Sequence, residues 1–364
     1  MSLSVSLKHR FDGFALDATF EAPRGITMLY GRSGSGKTTI VNALAGLLRP
    51  DAGQITTGDS VLFDSAAGIN LPPHRRQVGC IFQEGRLFPH LTVRQNLKYG
   101  RWFAQKGASL EDMDRIIDML GIGTLLDRHP GRLSGGEKQR VAIGRALLCS
   151  PRLILADEPL AALDDARKEE ILPYFERLRD ELEIPILYVS HAGSEVARLA
   201  TTLVVVENGR VARQGDAATL LSDPSVTPFG AGAAGVILQA RVQAQMNDGI
   251  TEVTSGGQTL LLPQVPAAIG ASVRIRIEAQ DVMIATTRPK GISALNILPA
   301  TVAALRMGDG PGVLVQLKAG ENLLLARITR RSAAALALSE GTRVYAVLKA
   351  VSVPRHAIGD THPA

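Results

Sequence analysis

The residues best suited to chemistry begin with a glycine-rich loop at positions 31–38, Gly-Arg-Ser-Gly-Ser-Gly-Lys-Thr. Its glycines let the backbone approach an anion closely, and the backbone N–H groups of such a loop point at phosphate oxygens. Lys37 adds a formal positive charge, and the hydroxyl of Thr38 is a ligand for Mg²⁺. The loop predicts a nucleotide-phosphate site formed by Gly31, Arg32, Ser33, Gly34, Ser35, Gly36, Lys37, Thr38 and Thr39.

Two adjacent carboxylates, Asp157 and Glu158, follow the apolar run Leu-Ile-Leu-Ala at 153–156. A buried strand of an α/β sheet delivers the residues at its C-terminal end to the edge where ligands bind. We expect Asp157 to hold Mg²⁺ and Glu158 to orient and deprotonate an attacking water. An Asp-Glu-Pro turn taken alone is more often a solvated helix start, but the phosphate loop in the same chain favours the catalytic interpretation.

The elements that must position these residues alternate between apolar strands and helical periodicity up to about residue 230. This order predicts an α/β phosphate-loop fold with a largely parallel sheet. The predicted strand and helix pairs are 26–30 with 38–48, 153–156 with 165–183, and 186–190 with 194–200. A stretch rich in proline and glycine at 222–235 is typical of a linker.

Beyond the linker, short alternating runs separated by glycine-containing turns predict a small all-β, OB-like barrel. This tail also resembles itself, because 273–282 aligns with 344–353 and 240–242 aligns with 300–302. We expect two related β-units, the second carrying a helix-like insert at 332–338. A chance match between β-rich strings is the alternative.

Composition narrows the class of protein. The 364 residues are 45% hydrophobic and 21% charged, which is typical of a folded chain of more than one domain. The net charge of +5 is spread along the chain and only 4% of residues are aromatic, so nucleic acid is not an expected partner. The two cysteines lack the spacing of a metal site, which favours a reducing compartment. The sequence shows no signal peptide and no run of 18 apolar residues, so we expect no membrane span.

A third string, Leu-Ser-Gly-Gly-Glu at 133–137, resembles the signature of the ATP-binding subunits of ABC transporters. Ser134 with Glu137 is also a capping box that opens a helix, and we expect both interpretations to hold. The resemblance implies a helical subdomain at about 85–150. It also implies two copies packed head to tail, with Ser134, Gly135 and Gly136 of one copy facing the ATP of the other.

Further single residues fit this family. Gln83 matches the glutamine that contacts Mg²⁺ and the attacking water, and His191 matches the histidine that contacts the γ-phosphate. The resemblance implies ATP and Mg²⁺ as cofactors. It implies catalytic roles for Glu158, His191 and Gln83, and Mg²⁺ contacts from Thr38, Gln83 and Asp157. The aromatic residue that stacks on adenine is predicted to be Phe11, with Phe14 as the alternative.

The C-terminal part of the sequence limits the candidate substrates of the transporter. Residues 290–355 resemble the oxyanion-binding Mop/TOBE barrel through Ser-Ala-Leu-Asn at 293–296, Ile-Thr-Arg-Arg-Ser at 328–332 and Val-Leu-Lys-Ala-Val at 347–351. Together with 273–281 they are similar to molybdate importer ATPases. A tetrahedral dianion favours hydroxyl and cationic partners, so Ser293 and Lys349 are predicted to bind a regulatory molybdate.

This resemblance implies membrane-spanning permease subunits as partners and, indirectly, a periplasmic oxyanion-binding protein. It places the chain at the cytoplasmic face of the bacterial inner membrane, with Arg86, Leu87 and Phe88 in the 83–103 segment that contacts the permease. Importers of sulfate or thiosulfate, iron or polyamines remain alternatives. An ABC ATPase acting on DNA or the ribosome would need two motif sets, zinc fingers or long heptads, which the sequence lacks.

The predicted domains follow from these boundaries. They are an ABC ATP-binding domain at 1–230, a linker and first β-unit at 231–289, an oxyanion-binding barrel at 290–355, and a tail at 356–364.

Overall fold

The computed structural model describes residues 1–83, 85–102, 113–161, 163–190, 192–223, 234–265, 267–307, 311–350 and 358–361. Its contacts divide the chain into two compact units. The N-terminal unit contains residues 1–191 and 199–214, and the C-terminal unit contains residues 192–198 and 215–364. The finer division predicted from the sequence remains a prediction.

The strands and helices alternate in the first unit, whereas strands dominate the second. The strands are β1 Leu3–Phe11, β2 Phe14–Ala22, β3 Gly25–Tyr30, β4 Ala52–Thr57, β5 Ser60–Asp64, β6 Ile69–Asn70, β7 Val78–Phe82, β8 Leu153–Asp157, β9 Pro185–Val189, β10 Thr202–Glu207, β11 Arg210–Asp216, β12 Gly235–Gln245, β13 Ile250–Ser255, β14 Gln258–Pro263, β15 Ser272–Glu278, β16 Met283–Ala285, β17 Asn296–Met307, β18 Gly312–Ala319, β19 Asn322–Thr329, β20 Arg343–Leu348 and β21 Ile358–Thr361. The helices are α1 Lys37–Ala45, α2 Val93–Trp102, α3 Met113–Leu120, α4 Gly135–Leu147, α5 Asp165–Glu181, α6 Gly193–Leu199, α7 Ala217–Ser222 and α8 Arg330–Ala335.

A large sheet organises the N-terminal unit, with strand order β6-β5-β4-β1-β2-β11-β10-β3-β9-β8-β7. Strands β10, β3, β9, β8 and β7 pair in parallel, and every residue of β3 and β9 is buried. The predicted α/β order with a parallel sheet is therefore confirmed. Helix α1 ends at Ala45, earlier than the predicted residue 48, because Gly46 takes a left-handed φ of 78° that terminates the helix.

Two five-stranded sheets form most of the C-terminal unit, in the orders β14-β13-β12-β15-β21 and β16-β20-β17-β18-β19. They share one hydrophobic core, to which Val253 and Leu262 contribute from the first sheet and Leu317 and Leu324 from the second. The predicted OB-like, all-β character of the tail is confirmed by this arrangement.

The internal repeat predicted from the sequence is confirmed by strand register. Ala240 pairs with Val273 in the first sheet, and Ala300 pairs with Val344 in the second, as the sequence alignment requires. Each long strand also carries a register shift just after the equivalent position, following Val242 in β12 and following Val302 in β17. The two halves of this domain therefore share one pattern of strand pairing.

The predicted insert in the second β-unit is a helix, but it begins earlier than the sequence indicated. Thr329 caps α8 by accepting from the Ser332 N–H at 3.0 Å, so the helix starts at Arg330 instead of Ser332. In the part of the chain that the structure describes, no helix combines the length and apolarity needed to cross a bilayer.

Candidate functional site

The phosphate loop connects β3 to α1, as the sequence predicts. Lys37, the first residue of α1, is only 7% exposed. Its ammonium group donates across the loop to the carbonyl oxygens of Gly31 at 2.8 Å and Arg32 at 2.9 Å. These bonds hold the loop around the lysine, so the curvature of the loop and the position of the positive charge are fixed together.

Glycine is required in this loop for space as well as for conformation. Gly36 has a φ of 104°, and a Cβ atom there would lie 2.9 Å from Leu16 Cδ1 and 3.0 Å from Phe14 Cζ. At Gly31 a Cβ atom would overlap the Val206 carbonyl oxygen. The outer rim of the loop, including Thr38, is exposed and is therefore accessible to a ligand.

The two carboxylates lie where β8 ends, at the carboxyl edge of the parallel strands. Asp157 is the last residue of β8 and is in register with Val189 of β9. The next residue, Glu158, takes a left-handed φ of 46°, and its N–H donates to the Val189 carbonyl oxygen at 3.0 Å. This conformation costs a non-glycine residue about 1 kcal/mol, and such outliers cluster at functional sites.

Charges of both signs meet at this edge. Burial raises the pKa of Asp157, and the neighbouring charge of Glu158 raises it further, whereas Lys37 and Arg86 act in the opposite direction. Burial lowers the pKa of Lys37, against the opposing effect of Glu158 and Asp157. The structure therefore brings the predicted acids and the phosphate-loop lysine into one electrostatic site.

Gln83 directly follows β7, whose last residue Phe82 is in register with Asp157, and the side chain of Gln83 is exposed. The preceding residue is held in place by Gln139 of α4, whose side-chain amide donates to the Phe82 carbonyl oxygen at 3.2 Å. The guanidinium of Arg86 stacks over the Phe82 ring at 4.4 Å. The sequence analysis treated Arg86 only as a docking residue and missed Gln139, whose signal is a polar residue on the buried face of α4.

The capping box predicted from the signature string is confirmed. The Glu137 N–H donates to Ser134 Oγ at 3.2 Å, and the Ser134 N–H donates to Glu137 Oε2 at 2.7 Å. The hydrogen bond from the Ser134 backbone is the first cause of the lowered pKa of Glu137. A Cβ atom on Gly135 or Gly136 would lie nearest to residues of α5 and the segment just before it, namely Leu163, Arg167, Glu170 and Ile171.

The remaining residues predicted for the nucleotide site are the adenine-stacking aromatic residue and His191. Phe14 lies against the phosphate loop at Gly36, whereas Phe11 is 6.5 Å from Phe14 between ring centroids and contacts His9 edge to face. The choice between the two as the adenine-stacking residue remains a prediction. His191 lies outside the described residues.

The tail residues predicted to bind an oxyanion follow from strand register. Asn296 pairs with Leu348, so Ser293 and Lys349 lie just beyond the same end of the paired strands β17 and β20, and both are exposed. Asn296 itself is buried and exchanges hydrogen bonds of 2.7 and 2.9 Å with the backbone of Leu261. The asparagine of the Ser-x-x-Asn turn is thus a structural link between the two β-units.

The donor set around the phosphate loop fits Mg²⁺. This ion prefers one or two protein oxygen ligands together with substrate phosphates and water. The exposed residue Thr38 and the carboxylate of Asp157 supply such oxygens, and a bound cation would favour the ionised form of Asp157, whose pKa is raised by burial and then by Glu158.

A phosphate loop with a buried lysine, a strand-end acid pair and a capped signature helix define a nucleotide-binding protein of ABC type. The family model described as "ABC transporter" matches residues 17–161, and the model described as "TOBE domain" matches residues 292–354. Among solved structures, cbiO1 from Clostridium perfringens, described as part of the ABC transporter complex cbiONQ, is 28% identical. It has a TM-score of 0.52 and covers 62% of this chain and 92% of its own.

A second solved structure is the ADP conformation of MJ1267, an ATP-binding cassette of an ABC transporter, which is 26% identical to this chain. It has a TM-score of 0.53, and the match covers 62% of this chain and 96% of that one.

Curated relatives match along nearly the whole chain. The Molybdenum import ATP-binding protein ModC of Rhizobium johnstonii is 51% identical over 97% of this chain and 99% of its own length. That of Paramagnetospirillum magneticum is 46% identical over 97% and 98%. The chain belongs to the ABC transporter family, within its group of molybdenum import ATP-binding proteins.

Proposed function

We propose that the chain is the ATP-hydrolysing subunit of an importer of molybdate and of the similarly shaped tungstate. The observation that carries this proposal is the meeting of Lys37, Asp157 and Glu158 at one sheet edge in a chain that also carries the repeated β-units. The names of the curated relatives supply the substrate.

The residues of the site divide the work of hydrolysis. Lys37 binds the β- and γ-phosphates from the helix N-terminus. Glu158 orients the attacking water and accepts its proton, and its backbone is held to β9 while it does so. Gln83 and His191 contact the water and the γ-phosphate. Thr38, Asp157 and Gln83 would hold Mg²⁺, which would supply positive charge to neutralise the phosphates.

The active unit in this proposal is a head-to-tail pair of chains. The N-terminus of α4 presents backbone N–H groups and the Ser134 hydroxyl, which suit an anion. Its described contacts within one chain are not with the phosphate loop. A second copy would bring the helix to the γ-phosphate, so ATP would join the two chains and hydrolysis would release them.

Permease subunits are proposed to dock beside Gln83. A cavity of about 370 Å³ in the N-terminal unit is lined by Phe82, Arg86, Phe88, Tyr99, Arg145 and Cys149, among others. Arg145 donates to the carbonyl oxygens of Arg86 at 2.9 Å and Gly85 at 3.2 Å, so the cavity wall is continuous with the segment that follows Gln83. A permease segment bound in this cavity would therefore contact the segment that follows Gln83. The chain would lie at the cytoplasmic face of the inner membrane and receive molybdate from a periplasmic binding protein through the permease.

The C-terminal unit is proposed to sense the imported anion. Ser293 offers a hydroxyl and Lys349 a cation at the same end of a strand pair. Molybdate bound there would hold the two chains in a state that hydrolyses ATP slowly, which would limit uptake.

The experiment uses the complete importer in proteoliposomes with molybdate, tungstate or sulfate on either side. Molybdate on the binding-protein side should raise ATP hydrolysis, and Glu158→Gln should abolish it. Molybdate on the ATPase side should lower hydrolysis, and the double variant Ser293→Ala/Lys349→Ala should remove this effect. Stimulation of ATP hydrolysis by sulfate alone would assign the chain to the sulfate importers. Inhibition by molybdate that persists in the double variant would refute the sensing site.

A further inference from the structure

One face of strand β1 continues beyond the hydrophobic core of the N-terminal unit. Val5 and Leu7 are buried on this face, and side chains alternate along a strand, so His9 and Phe11 lie on the same face. Leu7 is 1% exposed, whereas Phe11 is 42% exposed. Phe11 therefore ends an otherwise buried row of side chains with an accessible aromatic ring.

The register of the β1–β2 hairpin places this face at the phosphate loop. His9 of β1 pairs with Leu16 of β2, and Phe11 pairs with Phe14. Directly opposed residues of an antiparallel pair lie on the same face of the sheet. A Cβ atom on Gly36 of the phosphate loop would lie 2.9 Å from Leu16 Cδ1 and 3.0 Å from Phe14 Cζ. The cross-strand partners of His9 and Phe11 thus pack on the phosphate loop.

The two phenylalanine rings of this hairpin differ in what they contact. The Phe14 ring lies against Gly36 and also against Gly209, because a Cβ atom on Gly209 would lie 3.0 Å from Phe14 Cζ. The Phe11 ring lies 6.5 Å from the Phe14 ring between centroids and is one ring farther from the loop. Phe14 thus supports the phosphate loop, and Phe11 is the ring that remains accessible to a base.

The ring of Phe11 is held by His9. The two rings meet edge to face, with centroids 4.4 Å apart and planes at 82°. This arrangement is favoured because the positive edge of one ring meets the negative face of the other. The His9 side chain is only 13% exposed, so it occupies the space beside Phe11 and limits the rotation of that ring.

Asp51 holds His9 in turn. Its Oδ1 atom lies 3.1 Å from His9 Nδ1. The Arg10 N–H donates to Asp51 Oδ2 at 2.8 Å, and the Asp51 N–H donates to the Lys8 carbonyl oxygen at 2.9 Å. Asp51 is therefore bonded to the backbone of β1 on both sides of His9, and the imidazole ring and the strand are held by the same residue.

We propose that His9 is a positioning residue for the binding of adenine. Its ring holds the Phe11 ring in the orientation that stacks on the base, so less of the binding energy is lost in ordering that ring. The inference rests on the nucleotide site given under the proposed function and on Phe11 as its stacking residue. It goes beyond that site, because the phosphate loop recognises phosphates whereas His9 and Phe11 recognise the base.

The test compares ADP with inorganic pyrophosphate, which carries the phosphates without the base. Isothermal titration calorimetry of the full-length protein with Mg²⁺ gives both dissociation constants. Phe11→Ala should weaken ADP binding about tenfold, because adenine loses its stacking partner. His9→Ala should weaken it about fivefold, because the Phe11 ring must then be ordered on binding. Both variants should bind pyrophosphate within about twofold of the wild type, since Lys37 and its loop are unchanged.

Equal weakening for ADP and pyrophosphate in His9→Ala would show that His9 supports the phosphate loop, and would overturn the proposal. The double variant His9→Ala/Phe11→Ala should bind ADP no more weakly than Phe11→Ala alone, since His9 acts through Phe11. Losses that multiply would show that the two residues act separately, and would also overturn it. His9→Gln removes the ring but keeps a polar group near Asp51, so it should repeat the loss and tests the proposal if His9→Ala does not fold.

Two reference variants complete the design. Arg10→Ala removes an exposed side chain from the opposite face of β1, keeps the backbone bond to Asp51, and should leave ADP binding unchanged. Lys37→Ala tests the nucleotide site itself, and wild-type affinity of this variant for both ligands would refute that site. Weaker ADP binding in Lys37→Ala and Phe11→Ala together with wild-type binding in His9→Ala would overturn only the positioning role of His9.

Discussion

At the scale of single residues, the carboxylate of Asp157, the proposed Mg²⁺ ligand, destabilises the fold when it is ionised. Its pKa is raised, first by burial and then by Glu158, so its ionised form is less favourable in the folded chain than in the unfolded chain. Between the unfolded and the folded pKa, the folded state binds more protons than the unfolded state. Stability therefore falls as the pH rises through that interval.

We accordingly expect Asp157→Asn to raise Tm by about 2 °C at neutral pH in the absence of nucleotide and Mg²⁺. The gain should shrink as the pH falls, because the wild-type carboxyl group becomes protonated as well. The same variant should lose hydrolysis, since an amide is a poorer ligand for Mg²⁺ than a carboxylate. Thermal unfolding across a pH series measures the effect, with the exposed Asp12→Asn as the control. A Tm below that of the wild type throughout the series would contradict the argument.

At the scale of elements, the helix that carries the phosphate loop is anchored at its far end by a buried arginine. Arg76 is 2% exposed, and its Nη1 donates to the carbonyl oxygens of Ala43 at 2.6 Å and Leu44 at 3.0 Å. These carbonyl groups belong to the last turn of α1, and that of Ala43 also accepts from the N–H of the capping residue Gly46 at 3.2 Å. The positive charge also favours the negative end of the helix dipole. Further bonds to Leu71 at 2.7 Å and Asn70 at 2.8 Å tie this end of α1 to the strand β6 region.

Replacing Arg76 by alanine should lower the free energy of unfolding by about 3 kcal/mol, because four oxygen acceptors, two of them in buried bonds, lose a charged donor at once. Urea-induced unfolding of the apo protein, followed by circular dichroism, provides the measurement. The adjacent Arg75 is exposed, so Arg75→Ala should change the free energy by less than about 0.5 kcal/mol. Equal values for the two variants would show that the bonds to α1 contribute nothing to stability.

Arg76 also marks the limit of what the sequence can predict. The phosphate loop, the acid pair, the capping box and the repeated β-units were predictable because each is written in adjacent residues or in a repeat. Nothing in the sequence assigned a role to Arg76, since its partners on α1 lie 32 and 33 residues away. Arg276 contacts a helix about eighty residues earlier, and only the fold reveals that contact. Residues whose hydrogen-bond partners are distant in the sequence leave no local sequence pattern.

At the scale of the whole molecule, the proposed head-to-tail pair gives each chain half of two nucleotide sites. In this proposal the phosphate loop and acid pair bind one side of ATP, and the capped N-terminus of α4 offers anion-binding groups to the other copy. Ser134 caps α4 through its hydroxyl oxygen. Aspartate and asparagine cap helices about as well as serine, so Ser134→Asp and Ser134→Asn should both keep the helix. The two variants then differ from each other in the charge at the end of α4.

This difference tests the dimer directly in the Glu158→Gln background, where bound ATP is not consumed. Glu158→Gln/Ser134→Asn should form an ATP-dependent dimer in size-exclusion chromatography, whereas Glu158→Gln/Ser134→Asp should stay monomeric at the same ATP concentration. The reason is that a carboxylate facing the triphosphate of the other copy adds a repulsion of several kcal/mol. Nucleotide binding by the monomers should be equal, because Lys37 and its loop are unchanged. If both double variants dimerise equally, α4 does not face ATP across the interface, and the head-to-tail arrangement must be abandoned.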